Sequence, residues 1–357
     1  MAKIFCVSNN QGGTNVVLPV VKLARTRRHD VFVAAGGVGL ESYDSEHVFV
    51  NHRGLNMKGL TARPEGWPSQ TASGLLRGER PDVVLLGQSS PPDWEVNFGL
   101  WANALNIPVM TVNDFWAGAS RLQKEKVKPN LIGVLDEYDQ TLCQKLGNGA
   151  HTTITGNPGV KQVTIPTGLK VGFAELRQQF TYFILFVGTG PEETTEELVL
   201  LLECLELTPE PGRFGLITRF HPKYSGAKNE RGKPWADVWA EMLKTLGDRC
   251  IRIGEPYTID ELSAVCDVTC SAFSTVNTTA VCNGRSAISF WTEMARESLS
   301  SQVGLDHVPL VALGCAHQIH QPESLTPFLM PCDPENLRKL IPYNPERVLA
   351  GMLELVA

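Results

Sequence analysis

The 357-residue chain exceeds what one hydrophobic core usually fills, so two domains of similar size are expected. Its net charge of −6 offers no overall basic field for a nucleic-acid backbone, and nucleic acid is not the expected partner. Nine cysteines, an odd number without CxxC or paired Cys/His spacing, argue against a disulfide framework and a zinc site.

The opening "MAKIFCVSNNQGG" enters a strand directly, without the charged and long apolar regions of a signal peptide, and no apolar run reaches a membrane span. A cytoplasmic location is expected. "KIFCVS" (Lys3–Ser8), "DVFVAA" (Asp30–Ala35), "DVVLLG" (Asp82–Gly87) and "IPVMTV" (Ile107–Val112) are nearly continuous apolar runs, the signature of buried parallel strands. Helical spacing fills Val16–Arg27 and Trp94–Leu105 between them. The series restarts after the Pro/Gly-punctuated stretch 156–172. Strands are expected at Tyr182–Gly188, Gly215–Phe220, Cys250–Gly254, Asp267–Ser271 and Ser286–Trp291, with helices at Glu192–Leu205, Ala236–Leu246, Ile259–Val265 and Thr275–Asn283. The reading is α/β: two Rossmann-like, doubly wound parallel-sheet domains, 1–165 and 166–330, facing a central cleft. A tail, 331–357, has helical character and could pack back on the first domain.

Open parallel sheets bind ligands beyond the carboxyl ends of their strands, so the loops there are the candidate site. After the first strand, Gly12 and Gly13 allow close approach to a ligand at a helix start, and suit a tight turn equally well. Without GxGxxG spacing, a nicotinamide or flavin cofactor is not expected. Gly188, Thr189 and Gly190 occupy the equivalent place in the second half, where Glu192 and Glu193 already favour the positive helix end. In "TRFHPKYS", Arg219 and His221 alternate around Phe220 and suit a phosphate, though such a His also bonds backbone at sheet edges. The stretch "SAFSTVNTTA" holds Ser271, Ser274, Thr275 and Asn277 where a strand becomes a helix, a neutral phosphate cradle needing neither Lys nor metal. Tyr257 could stack on a base, while Thr258 and Glu261 have capping-box spacing.

These residues resemble the GT-B family of nucleotide-sugar glycosyltransferases and their epimerase relatives. "GGTNVVLPVVKLA" looks like the glycine-rich loop and first helix of lipid II-forming N-acetylglucosaminyltransferases, with Asn15 where that pattern has His. "TITGNP" resembles the end of the first domain in the same superfamily. "RFHP" and "SAFSTVNTTAVCNGRSAISF" are similar to the HP and Ser/Thr motifs of bacterial sialyl-, capsule-sugar and teichoic acid transferases. The resemblance implies donor phosphate contacts at His221, Ser274 and Thr275, and places Glu293 near a ribose-binding Glu.

The expected activity is metal-independent transfer of a sugar from a nucleotide-activated donor (UDP-, CMP- or other nucleotide-linked) to the hydroxyl of an acceptor glycan, lipid or other molecule. No cofactor and no metal is expected, since no DxD stands in a suitable loop. The acceptor must lose a proton, for which Asp114 in "VNDFW" is the first choice of base, followed by Glu95 and Asp93; each also reads as a helix cap or surface acid. The alternatives are a hydrolysing nucleotide-sugar 2-epimerase, which acts on the donor alone, and a non-catalytic nucleotide-binding relative of the same fold.

Overall fold

The computed structural model describes residues 1–53, 68–88, 94–145, 150–220, 224, 226–253 and 257–357. The chain divides into two compact units: Met1–Pro158 with Gln302–Gly304 and Leu340–Ala357, and Gly159–Ser301 with Leu305–Lys339. Each is a parallel α/β sheet covered by helices on both faces, the architecture that near-continuous apolar strands require.

The first unit contains β1 (Lys3–Ser8), β2 (Asp30–Ala35), β3 (His52–Arg53), β4 (Val83–Leu86), β5 (Val109–Val112), β6 (Leu131–Val134) and β7 (His151–Ile154). Their order is β3-β2-β1-β4-β5-β6-β7, every pairing parallel. The order reverses between β1 and β4, so the loops after these two strands open a crevice at the sheet's carboxyl edge. One face packs Val16, Val17, Val20 and Val21 of the helix Gln11–Thr26 together with Val348, Leu349 and Met352 of the helix Pro345–Glu354. The last segment of the chain is thus part of the first unit's core, and the Tyr343 hydroxyl donates to the Val16 carbonyl beside it.

The second unit contains β8 (Tyr182–Val187), β9 (Phe214–Arg219), β10 (Val268–Ser271), β11 (Ser286–Phe290) and β12 (His317–Ile319), in the order β12-β11-β10-β8-β9, again all parallel. The chain leaves β8 toward β9 and returns to β10 on the other side, so the switch point lies between β8 and β10.

Strands β3, β6, β7 and β12 were not expected, and two expected elements differ. The first helix begins at Gln11 rather than Val16, because the Asn10 side chain accepts the Gly13 amide at 2.9 Å and caps it; Gly12 and Gly13 therefore lie in its first turn. No strand forms at 250–253. Ile251 N donates to Leu216 O at 2.8 Å, but the Arg219 guanidinium takes the Ile253 carbonyl at 2.9 Å, and the ladder stops at one bridge. All nine cysteines are free, six of them buried.

Candidate functional site

In the second unit, Phe186 of β8 stands opposite Cys270 of β10, so the loops that follow leave the sheet side by side. The first, Gly188–Gly190, leads into the 17-residue helix Pro191–Leu207, whose N-cap is Gly190. Gly188 is closely packed: a Cβ there would lie 2.6 Å from the Thr194 hydroxyl. At Gly190 a side chain would run into the Glu193 carboxylate, which folds back over the helix start. The second loop turns through local bonds, with Ser274 N donating to Ser271 Oγ at 3.1 Å and Val276 N to Ser274 Oγ at 3.3 Å.

The hydroxyl-rich stretch divides by burial. Thr275 is exposed and Ser274 half-buried, whereas Ser271, Asn277, Thr278 and Thr279 are buried. Asn277 donates to Ile288 O at 3.3 Å, while its Oδ1 and the Thr278 hydroxyl have no partner among the described residues. Thr279 donates to Gly159 O at 3.2 Å and so ties the helix Val276–Cys282 to the start of the second unit. Thr275 makes no side-chain cap bond.

The two loops are joined by a residue that the loop-by-loop reading missed. Glu197, on the second turn of the helix Pro191–Leu207, is completely buried. One carboxyl oxygen lies 2.6 Å from Thr189 Oγ1 and the other accepts Ala272 N at 3.0 Å. Burial pushes its pKa up to about 8, against the lowering effect of these two bonds and with the Glu193 and Glu196 carboxylates adding to the rise. The sequence does carry a signal: Glu197 shares a helical face with Leu201 and Cys204, and an acid in an apolar stripe needs a partner.

Arg219 ends β9, beside Val187 of β8, with its guanidinium turned to the Ile253 and Thr218 carbonyls. His221 lies outside the described residues. Tyr257 is half-buried against the core, its hydroxyl 2.9 Å from where a Cβ on Gly168 would stand, and Thr258 with Glu261 forms the capping box. Glu293 does not join the cluster: its side chain is 73% exposed and pairs with Arg296 at 3.9 Å.

In the first unit, the carboxyl edge gathers Gly12, Gly13, Asp114 and Glu95; Asp93 lies outside the described residues. Gly12 packs against the Asp114 carboxylate, and a Cβ on Gly13 would stand 2.8 Å from the Gln88 amide nitrogen, so the loops after β1 and β4 meet backbone to backbone. Asp114 pairs with Arg121 at 3.4 Å; burial raises its pKa and the guanidinium opposes the rise. Glu95, fully buried, accepts the Asn9 amide at 3.2 Å. Behind them runs an unforeseen buried chain: Gln88 donates to Asn113 Oδ1 at 2.8 Å, and Asn113 donates to Asp139 at 2.8 Å. Asp139 also accepts Ala117 N and Leu135 N, and burial still lifts its pKa to about 6.

Among the described residues no group of three His, Cys, Asp or Glu is placed to hold a metal ion, and no helix is long and apolar enough to cross a membrane.

No protein-family model matches this chain. No curated protein matches it either. Solved structures do. The S. aureus MnaA–UDP co-structure aligns with a TM-score of 0.71 at 13% identity, over 99% of this chain and 98% of that one. UDP-GlcNAc 2-epimerase from Methanocaldococcus jannaschii in complex with UDP-GlcNAc and UDP gives 0.63 at 14%, over 99% and 92%. The Neisseria meningitidis UDP-GlcNAc 2-epimerase bound to UDP-GlcNAc gives 0.61 at 14%, over 99% and 100%. These likenesses establish the GT-B-like fold and correct the functional expectation. The recurring enzyme is a 2-epimerase, which overturns glycosyl transfer as the leading reading and leaves the likeness to sialyl-, capsule-sugar and teichoic acid transferases, and with it the acceptor, unsupported. The error has a physical origin: short phosphate-loop motifs belong to the fold and do not report which bond is made after the phosphate is held.

Proposed function

We propose that this chain is a nucleotide-sugar 2-epimerase that binds a UDP-linked amino sugar and acts on the donor alone. The observation that carries the reading is end-to-end likeness, over 99% of this chain, to structures of UDP-GlcNAc 2-epimerases with UDP-GlcNAc bound.

The second unit's switch point supplies the phosphate groups: the Thr189 and Ser274 hydroxyls, with Thr275 beside them, and the amides at the start of the helix Pro191–Leu207. Arg219 and His221 belong to the same proposed set. Glu192 and Glu193 in the helix's first turn oppose an anion there, so the hydroxyls carry more of the binding than the helix end alone. Inverting configuration at C2 by proton exchange takes a proton from one face of the sugar, sends the freed electron pair into a C1–C2 double bond as UDP departs from C1, and returns a proton to the opposite face as UDP or water adds back at C1. Asp114 and Glu95 are the proposed acid–base groups, since both are carboxylates at the carboxyl edge and burial raises the Asp114 pKa from its ordinary value against the opposing Arg121 guanidinium.

The test is incubation with UDP-GlcNAc and no acceptor, with products separated by chromatography. The 2-epimer, with or without free UDP, is the expected result. Unchanged UDP-GlcNAc in the presence of a folded protein that binds UDP would overturn the reading.

A further inference from the structure

The bond between Glu197 and Thr189 has two forms that place the same heavy atoms but different protons. When Glu197 is ionised, its carboxylate can only accept, so the Thr189 hydroxyl spends its proton inward. When Glu197 is neutral, its own O–H donates to Thr189 Oγ1 across the 2.6 Å separation, and the Thr189 proton is released to point elsewhere. The other carboxyl oxygen accepts Ala272 N in both forms. Thr189 is half-buried, two residues beyond the end of β8 and two before the 17-residue helix begins at Pro191, so its proton, once released from Glu197, is available to a ligand at this loop.

We propose that Glu197 is a proton-dependent positioning residue: in its neutral form it turns the Thr189 hydroxyl into a donor for a phosphate oxygen of a bound nucleoside diphosphate. The inference rests on the nucleotide reading above. Ionisation withdraws that donor, presents the Thr189 lone pairs to the phosphate, and adds a buried negative charge behind it. The surroundings favour the neutral form. Glu193 and Glu196 face Glu197 from its own helix, the Cys270 thiol from β10, and Tyr224 lies near Glu193. From the β8 side Glu197 meets the Thr189 hydroxyl, and Ser289 of β11 donates to the Ala272 carbonyl. With a pKa near 8, the carboxyl is mostly protonated at pH 7 and mostly ionised at pH 9. Binding that selects the neutral form weakens as pH rises through that value, toward about tenfold per unit.

The experiment is calorimetric titration with UDP from pH 7 to pH 9.5, a range in which the terminal phosphate of UDP stays ionised. Wild type is expected to lose about tenfold in affinity between pH 7 and pH 9. In Glu197→Gln the side-chain NH₂ donates permanently to Thr189 while its carbonyl accepts Ala272 N, so the profile is expected to be flat and affinity at pH 9 to exceed wild type by about tenfold. Thr189→Val, which removes the hydroxyl and keeps the volume, is expected to bind weakly at pH 7 and to lose the slope; it serves if Glu197→Gln does not fold. UDP binding with the same slope in wild type and Glu197→Gln, or a flat wild-type profile, overturns the inference and leaves the nucleotide reading standing. No UDP binding at any pH by folded wild type overturns both.

Discussion

Replacing Gly13 with Ala tests whether the first unit's crevice is built by backbone contact between the loops after β1 and β4. The added Cβ would stand 2.8 Å from Gln88 N and 2.9 Å from Gln88 O, well inside normal contact distance, and neither atom belongs to a flexible side chain. Relief requires the helix Gln11–Thr26 or the loop after β4 to shift by roughly half an ångström, a form of overpacking that costs about 1–3 kcal/mol. Against this, Ala is better than Gly inside a helix by about 1 kcal/mol. The expected net change is a loss of up to about 2 kcal/mol. Gly74→Ala is the control, since that position is exposed in the helix Pro68–Glu79 and a Cβ there meets nothing within 4 Å among the described residues; it should gain up to about 1 kcal/mol. Urea denaturation of the two variants, followed by tryptophan fluorescence, should place Gly13→Ala roughly 1–3 kcal/mol below Gly74→Ala. Equal midpoints would refute the argument that these loops meet through backbone.

Three further outcomes follow from the same geometry. A chain ending at Leu340 loses Val348, Leu349 and Met352 from the first core; at about 1.5–3 kcal/mol each this rivals the stability of a whole domain, so the first unit should unfold, seen as lost cooperative melting. Glu197 binds its proton more tightly in the folded than in the unfolded chain, so wild-type stability should fall relative to Glu197→Gln as pH rises from about 4.5 to about 8, by at most about 1.4 kcal/mol per unit; parallel pH profiles of urea midpoints would contradict this. Thr258→Ala removes the hydroxyl of a complete capping box and should cost about 1 kcal/mol, whereas Thr275→Ala, whose side chain caps nothing, should change the urea midpoint by less than about 0.5 kcal/mol.

The sequence makes the central strands legible because a strand buried on both faces must be apolar throughout. Lys3–Ser8 and Asp30–Ala35 match residue for residue, and the strands before the second switch point differ by a residue or two at their ends. The edge strands His52–Arg53 and His317–Ile319 are short and polar and carry no such signal, and Leu131–Val134, although apolar and inside the sheet, is only four residues long and is not picked out either. The run Cys250–Gly254 shows the opposite failure, for a local apolar pattern cannot foretell that a side chain, Arg219, will take the carbonyl a ladder needs. At the candidate site, the loops after β8 and β10 were identifiable from their glycines and hydroxyls. The bond that joins them was not, because Glu197 lies eight positions beyond Thr189 and 75 before Ala272, and only the parallel pairing of β8 with β10 brings all three together.

The most direct test of the central claim is proton NMR of UDP-GlcNAc with the purified protein in D₂O, without any acceptor. Epimerisation through loss and return of the C2 proton predicts a 2-epimer carrying deuterium at C2, and no product in Asp114→Asn if Asp114 is one of the two acid–base groups. A sugar that keeps its C2 proton and its configuration while the protein binds UDP would contradict the account.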